Sequence, residues 1–133
     1  MSYTIQDYKK GQPRWCPGCG DHAFLASLYK AMAEIGVPPH ETAVISGIGC
    51  SSRLPYYVNT YAMQTIHGRA AAIATGAKVV NPKLTIWQIS GDGDGLAIGG
   101  NHFILVLALV EPCHQGVQGL LGVAAHRVPE FTA

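Results

Sequence analysis

Charge is scarce in this chain. Of its 133 residues only 13% are charged, and 9 Lys and Arg against 8 Asp and Glu leave a formal charge of +1. No basic stripe exists that could neutralise a run of phosphates, which argues against a nucleic-acid partner. Long apolar runs are missing as well. Phe103 to Val110 is apolar but too short to span a bilayer, and no basic segment leads into an apolar stretch and a small-residue cleavage site. These absences predict a cytoplasmic protein that does not engage the membrane. Cysteine is sparse, with 4 in the chain; in a reducing compartment such residues serve as metal ligands or redox groups more readily than as disulfide partners. Internal repeats, low-complexity tracts and a second domain are also lacking.

What is present is 48% hydrophobic residues and 16 glycines. This describes a buried α/β protein that leaves part of its surface for a partner subunit. A chain of this length buries roughly 68% of its unfolded surface, enough for a core without disulfides. Residues 1–14 are polar and without sustained period, and read as an extended arm with no assigned fold. From Asp21 the spacing of Phe24, Leu25, Leu28, Met32 and Ile35 predicts a helix, with Asp21 as cap, Gly36 as terminator, and Pro38 and Pro39 blocking continuation. Thr42 to Ser46 reads as a buried strand that stops at Gly47. Gly68 to Val80, rich in alanine, suits a closely packed helix, and Leu84 to Ser90 a second buried strand. Alternating helices and strands imply a parallel sheet with helices on both faces, where ligands bind beyond the carboxyl ends of the strands. Cys50 and Asp92 both fall just past such ends.

Three motifs carry chemistry. The turn Ser90-Gly91-Asp92-Gly93-Asp94-Gly95 follows a strand and precedes an apolar stretch. Backbone N–H groups of such a turn suit a diphosphate, and a carboxylate among them makes chemical sense only with a divalent cation such as Mg²⁺ between the two anions. A surface turn is the bland alternative, disfavoured by the position after a buried strand. A Rossmann fingerprint would follow the first strand instead. In Trp15-Cys16-Pro17-Gly18-Cys19-Gly20 two thiolates converge, and Cys50 offers a third. Spacing alone leaves zinc, an iron–sulfur cluster and a redox dithiol open. Ile66-His67-Gly68-Arg69-Ala70 puts a titratable ring and a cation at a helix start, though a His beside Gly is more often a cap or packing residue. Arg53, after Ser51 and Ser52, offers a donor to an anion, though an exposed Arg there is more often a solvated charge.

Together, W-C-P-G-C-G, S-G-I-G-C-S-S-R-L-P-Y-Y-V-N-T-Y, I-H-G-R-A and G-D-G-D-G-L-A-I-G-G-N-H-F-I, in that order, resemble the β subunits of the 2-oxoacid:ferredoxin oxidoreductases, closest to the 2-oxoglutarate branch. The resemblance spans residues 15–104, and implies the N-terminal part of a thiamine-diphosphate-binding domain there, with the fold incomplete. It implies thiamine diphosphate with Mg²⁺ and one 4Fe-4S cluster as cofactors, and an α subunit, ferredoxin, coenzyme A and a 2-oxoacid as partners. By motif, Cys16, Cys19 and Cys50 are implied as cluster ligands and Asp92 as a magnesium ligand. Ser51, Ser52, His67, Gly68, Gly91, Gly93 and Asp94 are implied around the cofactor. Arg53 would face the substrate carboxylate or the diphosphate, and Arg53 and His67 are the candidates for a catalytic role. The glutamate that activates the aminopyrimidine would come from the α subunit.

After Ile104 the resemblance stops. The family would continue through a further strand to an asparagine-bearing turn that completes the Mg²⁺ site, and no asparagine follows Asn101 here. The family's fourth cluster cysteine is also absent, and Cys113 is not in its context. Residues 105–133 read as a divergent tail, which could still cover the sheet edge as a helix or strand, and the chain by itself is expected to be inactive. A reading from another class is a small zinc-binding interaction module held by Cys16, Cys19, Cys50 and Cys113.

Overall fold

The computed structural model describes residues 2–109 and 123–126. The first helix, α1 (Gly20–Ile35), begins at Cys19 and ends where Gly36 turns left-handed at φ 70° and returns its N–H to the Met32 carbonyl. Asp21 lies in the first turn rather than at the cap. Leu25, Leu28, Tyr29 and Met32 form the buried stripe, while Ile35, one turn further on, is 51% exposed. Each such buried side chain contributes about 1.5–3 kcal/mol.

Strand β1 (Thr42–Ser46) is buried along its whole length and pairs in parallel on both sides. On one side runs β2 (Tyr61–Gln64), with Ala43 opposite Tyr61; on the other runs β3 (Thr85–Ile89), with Thr42 opposite Thr85. A fourth strand, β4 (Val123–His126), pairs antiparallel with β3, so the sheet order is β2-β1-β3-β4. The expected parallel sheet is present, with one antiparallel strand at its edge. The remainder of the tail expected to diverge lies largely outside the described residues.

Alternation along the strands sends the side chains to two faces. Val44, Trp87 and Ile89 join α1, Tyr8, Trp15, Leu54, Tyr57 and Val58 in the larger core cluster. Ala43, Ile45 and Ile86 meet Ala70 and Ala74 of the second helix, α2 (Ala70–Val80). Small residues at these α2 positions let the helix lie close on the sheet, as the alanine-rich sequence predicts. Lys78 closes the α2–β3 turn by donating to the Pro82 and Leu84 carbonyls at 2.6 and 2.7 Å. A third helix, α3 (Gly100–Leu109), follows the loop after β3.

The polar N-terminal segment is part of this packing. Ile5–Tyr8 forms a 3₁₀ turn, Lys9 bridges to Val58, and the Tyr8 carbonyl accepts the Asn59 N–H at 2.9 Å. Tyr8 is fully buried and its hydroxyl donates to the Val37 carbonyl at 2.6 Å.

Tyr29 donates its phenol proton to the Tyr57 carbonyl, and burial pushes the phenol above its usual value near 10. A raised folded-state value means that the neutral phenol's contribution is complete below about pH 10 and is lost as pH rises above it. Tyr29→Phe is expected to lower stability by about 1 kcal/mol near neutrality and to flatten the alkaline decline. Urea unfolding of both proteins on either side of pH about 10 checks this; parallel declines would refute it.

Candidate cofactor-binding site

The carboxyl ends of β1, β2 and β3 all open on one edge of the sheet because the three strands are parallel. The chain leaves β1 toward β2 and leaves β3 on the other side, so the gap between β1 and β3 is the point where the strand order reverses. Ligands of open α/β sheets bind at such a point. Ser46 and Ile89 are paired across this gap, and Gly47 donates to the Ile89 carbonyl at 3.3 Å.

Three loops meet there. The first, after β1, runs from Gly47 into a 3₁₀ segment, Ser51–Tyr56, and carries Cys50, Ser51, Ser52 and Arg53. The second, after β2, is pinned by Thr65, whose N–H and hydroxyl both donate to the Ser46 carbonyl at 2.7 and 2.9 Å. It carries His67 and Gly68. The third, after β3, holds Gly91 and Asp92 and then a π-helical turn, Gly93–Ile98. A Cβ on Gly91 would stand 3.4 Å from the Ser51 hydroxyl oxygen, so the first and third loops lie side by side. A Cβ on Gly93 or Gly49 would meet nothing within 4 Å, so both face open space.

The two aspartates of the third loop have opposite environments. Asp92 is exposed, with no partner among the described residues. Asp94 is 2% exposed, and its Oδ1 accepts the Ile48 N–H at 3.0 Å and the Gly68 N–H at 2.7 Å. His67, half exposed, brings Nε2 within 3.6 Å of the same oxygen. The buried Oδ2 has no hydrogen-bond partner. Arg69 and His102 meet at 2.9 Å and tie the second loop to α3.

Among the other residues singled out in the sequence, Ser51 stays at the loop face while Ser52 is fully buried, turned away from it, its carbonyl accepting the Ser46 hydroxyl at 2.7 Å. Arg53 is exposed and held by a hydrogen bond from its Nε to the Tyr57 hydroxyl at 3.2 Å. Burial raises the Tyr57 phenol, but the Arg53 guanidinium and the Arg14 N–H and charge together bring it below its usual value. Tyr57 is a site residue that spacing did not point to. It holds Arg53 and stacks edge-on against Trp15 at 4.9 Å.

Trp15 is the second such residue. Its indole N–H donates to the Cys50 carbonyl at 2.6 Å, which ties the Cys16–Cys19 turn to the loop after β1. Cys16 and Cys50 are exposed, Cys19 half buried with its thiol 3.6 Å from Asp21, and none of the three is in a disulfide. Among the described residues no three His, Cys, Asp or Glu side chains gather closely enough to hold a single metal ion. A cubane is larger than an ion and accepts thiolates set further apart. Cys113, the fourth ligand of the zinc alternative, lies outside the described residues.

The residues suit a diphosphate with its cation: open glycine-lined loops at the strand ends, an exposed carboxylate on one of them, and the other carboxylate withdrawn into the structure. No helix among the described residues is long and apolar enough to cross a membrane.

Comparisons with known proteins agree with this geometry. The family model of the thiamine pyrophosphate enzyme C-terminal TPP-binding domain matches residues 47–110, which include all three loops. The chain is 52% identical over 94 residues to the 2-oxoglutarate oxidoreductase subunit KorB of Mycobacterium tuberculosis, covering 71% of this chain and 25% of that protein. It is 48% identical over 105 residues to the β subunit of 2-oxoacid:ferredoxin oxidoreductase 2 of Aeropyrum pernix, covering 78% and 34%. The solved structure of 2-oxoglutarate:ferredoxin oxidoreductase from Magnetococcus marinus, with 2-oxoglutarate, coenzyme A and succinyl-CoA bound, superposes with a TM-score of 0.73 at 51% identity, covering 75% of this chain and 35% of that one. The chain thus spans a quarter to about a third of the relatives it matches. The strand-end loops, the family model and the relatives agree: this chain belongs to the β-subunit family of the 2-oxoacid:ferredoxin oxidoreductases and carries part of its thiamine-pyrophosphate-binding domain.

Proposed function

We propose that this chain works as the thiamine-diphosphate-binding part of a β subunit in the oxidative decarboxylation of a 2-oxoacid, 2-oxoglutarate being favoured, to an acyl-CoA with electrons passed to ferredoxin. The observation that carries the reading is the G-D-G-D-G turn, set against Ser51 at the β1–β3 reversal point with Asp92 and Gly93 open to solvent. The substrate preference rests on relatives named for 2-oxoglutarate.

Asp92 would hold Mg²⁺, and Gly91 and Gly93 would let the diphosphate approach the backbone closely. Thiamine diphosphate, when bound, supplies the electron sink that decarboxylation requires. Around it the chain's own groups position and shield. His67 lies at the rim, its Nε2 3.6 Å from Asp94 Oδ1. Arg53, braced by Tyr57, is placed to attract a carboxylate of the substrate or an oxygen of the diphosphate. Cys16, Cys19 and Cys50 would hold the electron-accepting 4Fe-4S cluster, with Trp15 keeping the two cysteine-bearing segments together. An α subunit, together with the asparagine turn and the fourth cluster cysteine that the resemblance implies, would complete the active centre. The site of action is the cytoplasm.

Calorimetric titration of the full chain, together with its α partner, with thiamine diphosphate and Mg²⁺ tests the reading. Binding is expected, and Asp92→Ala should weaken it by more than the ~10–100-fold that loss of an outer-shell partner costs a metal site. No binding by the wild-type complex, or full binding by the variant, would overturn the proposal. Iron with acid-labile sulfide in the purified complex supports the cluster assignment, and zinc without sulfide contradicts it.

A further inference from the structure

The turn Gly91-Asp92-Gly93-Asp94-Gly95 holds two carboxylates, and the structure divides them. Asp92 is at the surface, while Asp94 is 2% exposed and reaches into the other two loops. Its Oδ1 takes N–H groups from Ile48, in the loop after β1, and from Gly68, in the loop after β2. Its backbone belongs to the loop after β3. One carboxylate therefore joins the loops of all three parallel strands.

The surrounding backbone is shaped to admit it. A Cβ at Gly47 would lie 1.9 Å from Asp94 Oδ2, so only glycine leaves room for the carboxylate at that strand end. A Cβ at Gly99 would lie 2.4 Å from the Asp94 carbonyl and 3.1 Å from the Gly68 Cα. Three glycines from three segments thus close around a single acidic residue, and its Oδ2 is buried with no hydrogen-bond partner. An arrangement that leaves a buried carboxylate oxygen unpaired is costly; the two N–H bonds to Oδ1 offset part of that cost and tie the loops to one another.

We propose that Asp94 is a positioning residue that presets the cofactor face before any cofactor or metal ion arrives, so that the two carboxylates divide the work: Asp94 fixes loop shape and Asp92 meets the cation. The inference rests on the reading of this face as a diphosphate site, but its central claim concerns the chain free of ligand.

Amide hydrogen exchange on the full chain, stripped of thiamine diphosphate and Mg²⁺, tests it directly. In Asp94→Ala the Ile48 and Gly68 amides are expected to exchange about 10–100-fold faster, the loss of a hydrogen bond to a charged group. The Thr65 amide, bonded to the Ser46 carbonyl, should be unchanged. Gly47→Ala keeps the carboxylate but displaces it, and should expose the same two amides. Asp94→Asn retains an acceptor oxygen without the charge and should give intermediate rates; it carries the test should the other two variants fail to fold. Asp92→Ala should leave all these amides as in the wild type. Wild-type protection of Ile48 and Gly68 in every folded Asp94 and Gly47 variant, or faster exchange of those amides in Asp92→Ala, would overturn the proposal. A separate arm adds thiamine diphosphate and Mg²⁺ to the wild-type chain with its α partner. Absence of new protection at Gly91 to Gly95 would count against the diphosphate reading while leaving the ligand-free result for Asp94 intact.

Discussion

Gly68→Ala is expected to destabilise the chain by about 2–5 kcal/mol, the sum of a left-handed backbone forced on an L-residue and of overpacking. Gly68 has φ 72°, and a Cβ there would come within 2.6 Å of Ile98 Cγ2 and 2.9 Å of the Gly99 nitrogen. The Ile98 side chain could turn aside, but the Gly99 backbone can move only with the loop that carries Asp94. The same substitution would disturb the 2.7 Å bond from the Gly68 N–H to Asp94, so loss of stability and loss of cofactor affinity should appear together. Gly76→Ala serves as the control. Gly76 lies within α2, and its Cβ would meet nothing within 4 Å, so alanine there should stabilise by about 0.5–1 kcal/mol. Urea midpoints of the two variants should move in opposite directions. If Gly68→Ala also held or gained stability, the close approach of the second and third loops would be refuted.

Tyr8→Ala should cost about 3–5 kcal/mol, the range for deleting a buried aromatic side chain. Tyr8 is fully buried, meets Tyr3 edge-on at 6.3 Å, and donates to the Val37 carbonyl, which the variant would leave without that donor. Lys10 donates to the Tyr57 carbonyl and Asn59 to that of Tyr8, so loosening this segment should also loosen Tyr57, and with it the brace on Arg53 and the stacking on Trp15. The measurement is chemical unfolding by Trp fluorescence, with Tyr8→Phe as comparison. Phe retains the ring and should lose only about 1 kcal/mol, that of the hydrogen bond. Equal and small losses in both variants would show that the N-terminal segment is dispensable to the fold.

These predictions fall on residues of unequal legibility. The two central strands are apolar runs because both their faces are buried, and so they stand out in a one-dimensional reading. Strand β2 does not: all four residues from Tyr61 to Gln64 are exposed, and an edge strand with no buried face has no period to detect. The N-terminal segment escaped for a related reason. Tyr8 is a single anchor in a polar stretch, and one buried residue makes no pattern. Helix α1 was legible from Leu25 to Met32, but Ile35, in register with that stripe, is 51% exposed, so helical spacing alone does not decide how far the buried face extends.

By itself the sequence determined the α/β class, the two buried strands, the helix that precedes each of them, and the turns at which chemistry is concentrated, because hydrophobic period and glycine-rich turns are local properties. It also determined that Asp92 and Asp94 share one turn, but each is flanked by glycine and nothing local distinguishes them. Only the tertiary structure decided which carboxylate faces solvent and which turns inward. That choice depends on where the Ile48 and Gly68 N–H groups stand, in loops that follow strands distant in sequence and become neighbours only through parallel pairing. Likewise the sequence placed Trp15 beside Cys16, but it took the folded chain to set its indole against the Cys50 carbonyl, since that contact joins residues 35 positions apart.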